Sequence, residues 1–230
     1  MACNAGPDIV EDGLVLCLDA GNNNSYPKSG TTWSDLVGGN DATMTNMDAT
    51  NFSSDNGGIL NFDGADDYLT TASTVGITGS ADRSLCVWFY HNSTADVINI
   101  TGYGVNGQKA IFDIIARRTD GYHTVIGHFY GTDSNTISTL PSRDTINYLG
   151  WNYVCLTYTY NNASVYTNGE FSNSKAIILS TADSTLKIGK ATYSPIDGYS
   201  GKIAGVQLYN KALTADEVRS NYEATVGRFT

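Results

Sequence analysis

The chain has 230 residues, of which 41% are hydrophobic and 11% aromatic, enough to fill one sizeable core. Its 13 basic and 23 acidic residues leave a formal charge of -10, which repels a phosphate backbone and excludes nucleic acid as an expected partner. No run is long and apolar enough to insert in a membrane, and the opening residues lack the basic and apolar regions of a secretory signal, so synthesis in a cytoplasm is expected. Residues 13–20 read as a first strand, apolar on both faces, followed by an Asn-, Ser- and Gly-rich loop over 21–30. Further strands are predicted at 59–62, 84–90, 98–100, 110–116 and 124–130. Residues 151–160 form another, and Asn168-Gly169 marks a hairpin, because that pair supplies the two positive-φ positions of a type I′ turn. Strands at 186–189 and 201–208 precede a short helix, whose start carries a Thr214/Glu217 capping box.

Ten or more short strands without intervening helices predict an all-β, antiparallel two-sheet sandwich with one short C-terminal helix. No linker, repeat or low-complexity tract divides the chain. The expected organisation is one domain over 10–226, with tails at 1–9 (a candidate docking segment) and 227–230. Cys17, Cys86 and Cys155 lie in apolar runs, no Cys-x-x-Cys pair occurs, and these three read as small core hydrophobes.

In order along the chain stand Gly13-Leu14-Val15-Leu16, Trp33-Ser34-Asp35-Leu36, Gly39-Asn40-Asp41-Ala42, Phe62-Asp63-Gly64-Ala65-Asp66-Asp67-Tyr68 and Val87-Trp88-Phe89. Trp151-Asn152-Tyr153-Val154, Ile188-Gly189, Gly201-Lys202-Ile203 and Leu208-Tyr209-Asn210-Lys211-Ala212-Leu213-Thr214 follow. The series resembles the concanavalin A-like lectin/glucanase superfamily in its laminin-G-like branch, over residues 13–222. The resemblance implies a jelly roll of two curved sheets with a concave face. The opening Leu16-Cys17-Leu18-Asp19-Ala20-Gly21-Asn22, with Ser25-Tyr26-Pro27 and Gly30-Thr31-Thr32-Trp33, looks like the version carried by structural proteins of tailed bacteriophages. That likeness implies a virion surface protein of the capsid-decoration, head-fibre or tail-fibre type. Its partners would be other virion proteins and host-surface glycans, in a symmetric assembly.

Glucanase members of the superfamily carry carboxylates in a Glu-x-Asp-x-Glu arrangement, which period-2 spacing puts on one sheet face. This chain has no such run. Its four Glu (11, 170, 217 and 223) are scattered, and Asp113 stands alone between Phe112 and Ile114. His123 and His128 are five apart, which places them on opposite faces of a strand, and they read as surface or turn residues. No enzymatic activity is expected. Two binding features are expected instead. Asp35, Asn40 and Asp41 in a glycine-rich loop form a candidate site for one structural calcium, with Asp66 and Asp67 a second; the alternative is that they only stabilise turns. Tyr26, Tyr103, Tyr130, Tyr193 and Tyr199, in or beside loop-like segments, are candidate sugar platforms, or amphipathic residues half-buried against the sandwich. Trp33, Trp88 and Trp151 read as core. A non-catalytic glycan-binding virion protein is therefore expected, alongside a purely structural virion protein and an unrecognised polysaccharide-degrading enzyme.

Overall fold

The computed structural model describes residues 8–92, 97–119, 122–129, 136–138, 148–190, 192 and 198–230. In chain order its strands are β1 (Leu14–Asp19), β2 (Thr32–Trp33), β3 (Ala42–Thr45), β4 (Phe52–Ser53), β5 (Ile59–Asp63), β6 (Tyr68–Thr74), β7 (Arg83–His91) and β8 (Val97–Gly104). They continue with β9 (Ile111–Thr119), β10 (Tyr122–His128), β11 (Thr136–Ser138), β12 (Gly150–Thr159), β13 (Asn162–Thr167), β14 (Glu170–Ala176), β15 (Thr185–Ile188) and β16 (Ser200–Tyr209). Among the described residues one α-helix, α1, covers Ala215–Thr225.

Among the described residues the strands build two sheets of eight. The first runs β14-β13-β12-β7-β16-β5-β4, with β1 also on β16; the second runs β11-β10-β9-β8-β15-β6-β3-β2. The ten-residue β16 pairs with β7 along one edge and shares the other between β5 and β1. A register shift between Ile203 and Gly205 accompanies that change of partner. At the predicted hairpin, Asn168 has φ 52° and Gly169 φ 82°, as a type I′ turn requires.

Alternation decides what each strand buries. Phe112, Ile114 and Ala116 of β9 join Leu85, Val87 and Phe89 of β7 in the core between the sheets. The other face of β7 is also covered: Cys86 and Trp88 pack with Tyr153, Tyr209 and Val218 beneath α1. A strand buried on both faces reads as a continuous apolar run, as residues 84–90 do. The predicted capping box holds α1 in place, with Glu217 N–H donating to Thr214 Oγ1 at 3.2 Å and Thr214 N–H to Glu217 Oε2 at 2.9 Å. Its last turn is fixed by the Trp88 indole N–H donating to Thr225 Oγ1 at 2.7 Å.

Two expectations change here. Cys86 and Cys155 are free buried thiols, but Cys17 is disulfide-bonded. Cys17 lies on the face of β1 opposite Leu16 and Leu18, outside the main core and beside Ile9. Residues 227–230 do not form a simple tail. Phe229 stacks on Trp88 at 4.1 Å, and Arg228 pairs with Asp19 at 2.8 Å. The chain end is held because the outer aromatic face of the first sheet needs cover and Asp19 needs a cation.

Candidate functional site

The outer face of the second sheet carries a polar row. Trp33, Ala42, Met44, Leu69 and Ile188 face the core, so Thr32, Thr43, Thr70 and Lys187 face away from it. Pairing sets these four in register, Thr32 with Thr43, Thr43 with Thr70, and Thr70 with Lys187. The row continues from Lys187 to Gly102, from Gly102 to Asp113, from Asp113 to His128, and in register to Thr136. The row of side chains therefore crosses seven strands, from β2 to β10, and its backbone register continues into β11. Beside it run Asn99, Ile115 and Ile126, which are also paired in register.

Asp113 is the centre of the row. Its carboxylate fills the space above Gly102, where an added Cβ would overlap Asp113 Oδ1. Thr192 Oγ1 donates to Oδ2 at 3.1 Å, and His128 Nδ1 lies 4.0 Å from the same oxygen. Burial raises the carboxyl to about 6, against the pull of His128, Thr192 and Lys187 in the other direction. Asn99 is 2% exposed, and neither its amide oxygen nor its nitrogen has a hydrogen-bond partner among the described residues. A buried amide with both ends unmet is destabilising unless something else bonds it. The arrangement can accept and donate hydrogen bonds along one face. Among the described residues the row holds one carboxyl, that of Asp113.

The expected site residues fare differently. Tyr26, Tyr103 and Tyr199 are fully buried and cannot act as stacking platforms. Each spends its hydroxyl inside the protein: Tyr26 donates to the Gly30 carbonyl at 3.0 Å and Tyr199 to the Tyr90 carbonyl at 2.8 Å. Tyr103 accepts from the buried Arg83 guanidinium at 3.1 Å, and burial pushes its phenol up to about 12. Tyr130 and Tyr193 lie outside the described residues. Trp33 and Trp88 are core as expected, whereas Trp151 is half-buried against Phe229.

The first calcium candidate is a turn network. Asp35 Oδ1 accepts from the Cys17 and Val37 amides, and Oδ2 from those of Gly38 and Asn40, at 2.8–3.1 Å. Asp41 Oδ1 accepts from the Asp35 amide at 2.8 Å, and the Asn40 side chain bonds the Ser73 backbone. With its lone pairs taken by amides, Asp35 does not fit a cation. Asp66 and Asp67 do converge with Asp63, their ligand oxygens within 4.8 Å of one another. Asp67 Oδ2, however, already accepts from the Asp63 amide and Asn51 Nδ2.

The histidines sit on opposite faces of β10, but neither is a simple surface residue. His123 turns inward and its Nδ1 lies 2.8 Å from His91 Nε2, with Tyr148 stacked on it at 4.3 Å. His91 is lowered to about 4 by burial and by His123. The polar row itself was missed. Each of its residues lies at an alternating strand position, but only registers between distant strands align them.

A family model for Laminin_G_3, described as the concanavalin A-like lectin/glucanases superfamily, matches residues 63–219. The chain belongs to that superfamily. Among solved structures, domain 4 of AbnA, a GH43 extracellular arabinanase from Geobacillus stearothermophilus in complex with arabinotriose, is 16% identical. Its TM-score is 0.66, and the match covers 93% of this chain and 100% of that one. Trypanosoma rangeli sialidase in complex with the inhibitor DANA is 16% identical with a TM-score of 0.65, covering 97% of this chain and 34% of that one. The heptameric SAP-like pentraxin from Limulus polyphemus is 18% identical with a TM-score of 0.54, covering 70% and 79%. At such identities the likeness shows the fold alone. The chain spans about a third of the sialidase's length. No curated protein sequence matches it.

Proposed function

We propose that this chain is a non-catalytic glycan-binding domain, whose ligand lies along the polar row of the second sheet, and that it is displayed on a virion surface. The observation that carries the glycan clause is Asn99. It is a buried amide with no partner among the described residues, on the same face as Asp113, Lys187 and His128. Amides and carboxylates together bond sugar hydroxyls, which both donate and accept. Domain 4 of AbnA, which shares this fold, is described in complex with arabinotriose. The non-catalytic reading is supported by the make-up of the row: glycoside hydrolysis needs two carboxyls, roughly 5 to 9.5 Å apart, and among the described residues Asp113 is the one carboxyl of the row. Glu170 and Glu223 meet Arg219, and Glu217 meets Lys211, all away from this face.

The virion clause rests on the likeness of residues 16–33 to phage structural proteins. On a particle the chain would stand beside other virion proteins in symmetric copies, and its net charge of -10 would keep particles soluble. Affinity electrophoresis against arabinan, xylan, β-glucan and bacterial surface polysaccharides tests the glycan clause. Retardation that is lost in Asn99→Ala and Lys187→Ala supports it; no retardation by any polymer sinks it. Release of reducing ends by the wild type, abolished in Asp113→Ala, would instead establish an enzyme. Mass spectrometry of purified particles, followed by residue-resolution imaging, tests the location.

A further inference from the structure

A separate cleft lies at the end of β1, where the chain turns out of the first sheet. It has a volume of about 450 Å³ and is lined by Asp19, Gly21, Asn22, Asn23, Asn24, Gly57 and Arg228. That volume falls in the range of small-ligand sites. The floor is built rather than incidental. Arg228 bonds Asp19 Oδ1 at 2.8 Å, the Gly58 carbonyl at 2.9 Å and the Asn56 carbonyl at 2.9 Å. Gly21 has no room for a side chain, because a Cβ there would stand 2.7 Å from both Arg228 Nη2 and the Gly57 carbonyl. The two glycines let the walls close on the guanidinium.

The rim is chemically distinct from the floor. Asn22 Oδ1 accepts from the Asn24 amide at 2.9 Å, which fixes the turn. Asn23 and Asn24 are exposed, and their side chains have no partner among the described residues. Both residues line the cleft, and each amide is able to donate and to accept. Among the described lining residues Arg228 is the cation and Asp19 the anion, and the two pair at 2.8 Å.

We propose that this cleft is a second carbohydrate site, which takes a terminal neutral monosaccharide or disaccharide. Alternating donors and acceptors match sugar hydroxyls, and the cancelled charges disfavour uronic and sialic acids. It is independent of the polar row, which lies on the other sheet and would take an extended polymer.

The test is saturation-transfer NMR on the intact chain. The probes are the methyl glycosides of galactose, glucose, mannose, arabinose and N-acetylglucosamine, with galacturonate as the charged control. At least one neutral glycoside should bind at millimolar Kd. The Asn23→Ala/Asn24→Ala double variant should weaken it tenfold or more, while melting as the wild type does. Asn99→Ala should leave this binding unchanged, and the double variant should leave polymer retardation unchanged. Binding unaffected by the double variant, preference for galacturonate, or silence with every glycoside would overturn the second site. Loss of glycoside binding in Asn99→Ala would also overturn it, by showing one site instead of two. Polymer retardation is a separate readout, so failure of the polar row and failure of the cleft are distinguishable.

Discussion

Asp113→Asn separates what the buried carboxylate does for the fold from what it does for a ligand. In the folded chain the carboxyl titrates at about 6, against 3.8 for its ordinary value. The folded state therefore holds a proton over a range in which the unfolded chain has lost it. Stability falls as pH rises from about 4 to about 6, then stays level. At 1.36 kcal/mol per pH unit, the ionised group costs about 3 kcal/mol at neutral pH. Asparagine keeps an acceptor for Thr192 and removes the charge, so the variant should gain about 1–3 kcal/mol at pH 7.5 and nothing near pH 4. His91 contributes with the opposite sign. Its lowering from 6.5 to about 4 makes the folded chain hold fewer protons than the unfolded one, so stability is lost as pH falls between those values. In the wild type the two trends offset one another between pH 4 and 6. Once Asp113 is neutral, the His91 trend stands alone, and the variant should weaken steeply towards pH 4. Urea unfolding followed by tryptophan fluorescence, at pH 4 to 8, reads both effects. The reasoning is refuted if the variant is less stable than wild type at pH 7.5, or if its gain is the same at pH 4. On the proposed glycan reading, polymer retardation should fall in the same variant, because an amide replaces the stronger carboxylate acceptor.

Four further outcomes follow from named contacts. His91→Phe should remove the His91 trend and leave that of Asp113, so stability should rise as pH falls from about 6 to about 4, with neutral stability within about 1 kcal/mol because the ring fills the same space against Tyr148. Asp35→Ala strands four backbone amides and should cost about 2–4 kcal/mol in chemical denaturation. The loss should be equal with calcium and with chelator, since a metal-ligand role predicts a loss only when calcium is present. Gly102→Ala forces a methyl group into Asp113; about 1–3 kcal/mol of destabilisation with weakened polymer retardation is expected, and an unchanged melt would contradict the packing. Arg228→Ala removes the bonds to Asp19, Asn56 and Gly58 and should expose the amides of residues 226–229 to rapid hydrogen exchange, while those of β7 stay protected.

The amino-acid sequence by itself determined what is local. Alternation in residues 110–116 and 151–160 made them strands and gave each side chain its face, because successive Cβ atoms point to opposite sides. Asn168-Gly169 and the Thr214/Glu217 box were legible for the same reason, since a turn or a cap involves residues only a few positions apart. Tertiary structure decided the rest. Tyr26, Tyr103 and Tyr199 have the composition of exposed platforms, yet an amphipathic ring is equally at home inside once its hydroxyl finds Gly30, Arg83 or Tyr90. Asp35 could have faced a cation until the amides of Cys17, Val37, Gly38 and Asn40 took its oxygens. Lys187, Gly102, Asp113 and His128 lie on four strands spread over 86 positions of sequence. They share one row only because long-range pairing fixes a register, and a slip of one residue would turn each to the other face. Arg228 and Asp19, 209 positions apart, meet for a reason that no local pattern carries: the closing helix folds back over the first sheet and brings the chain end to the end of β1.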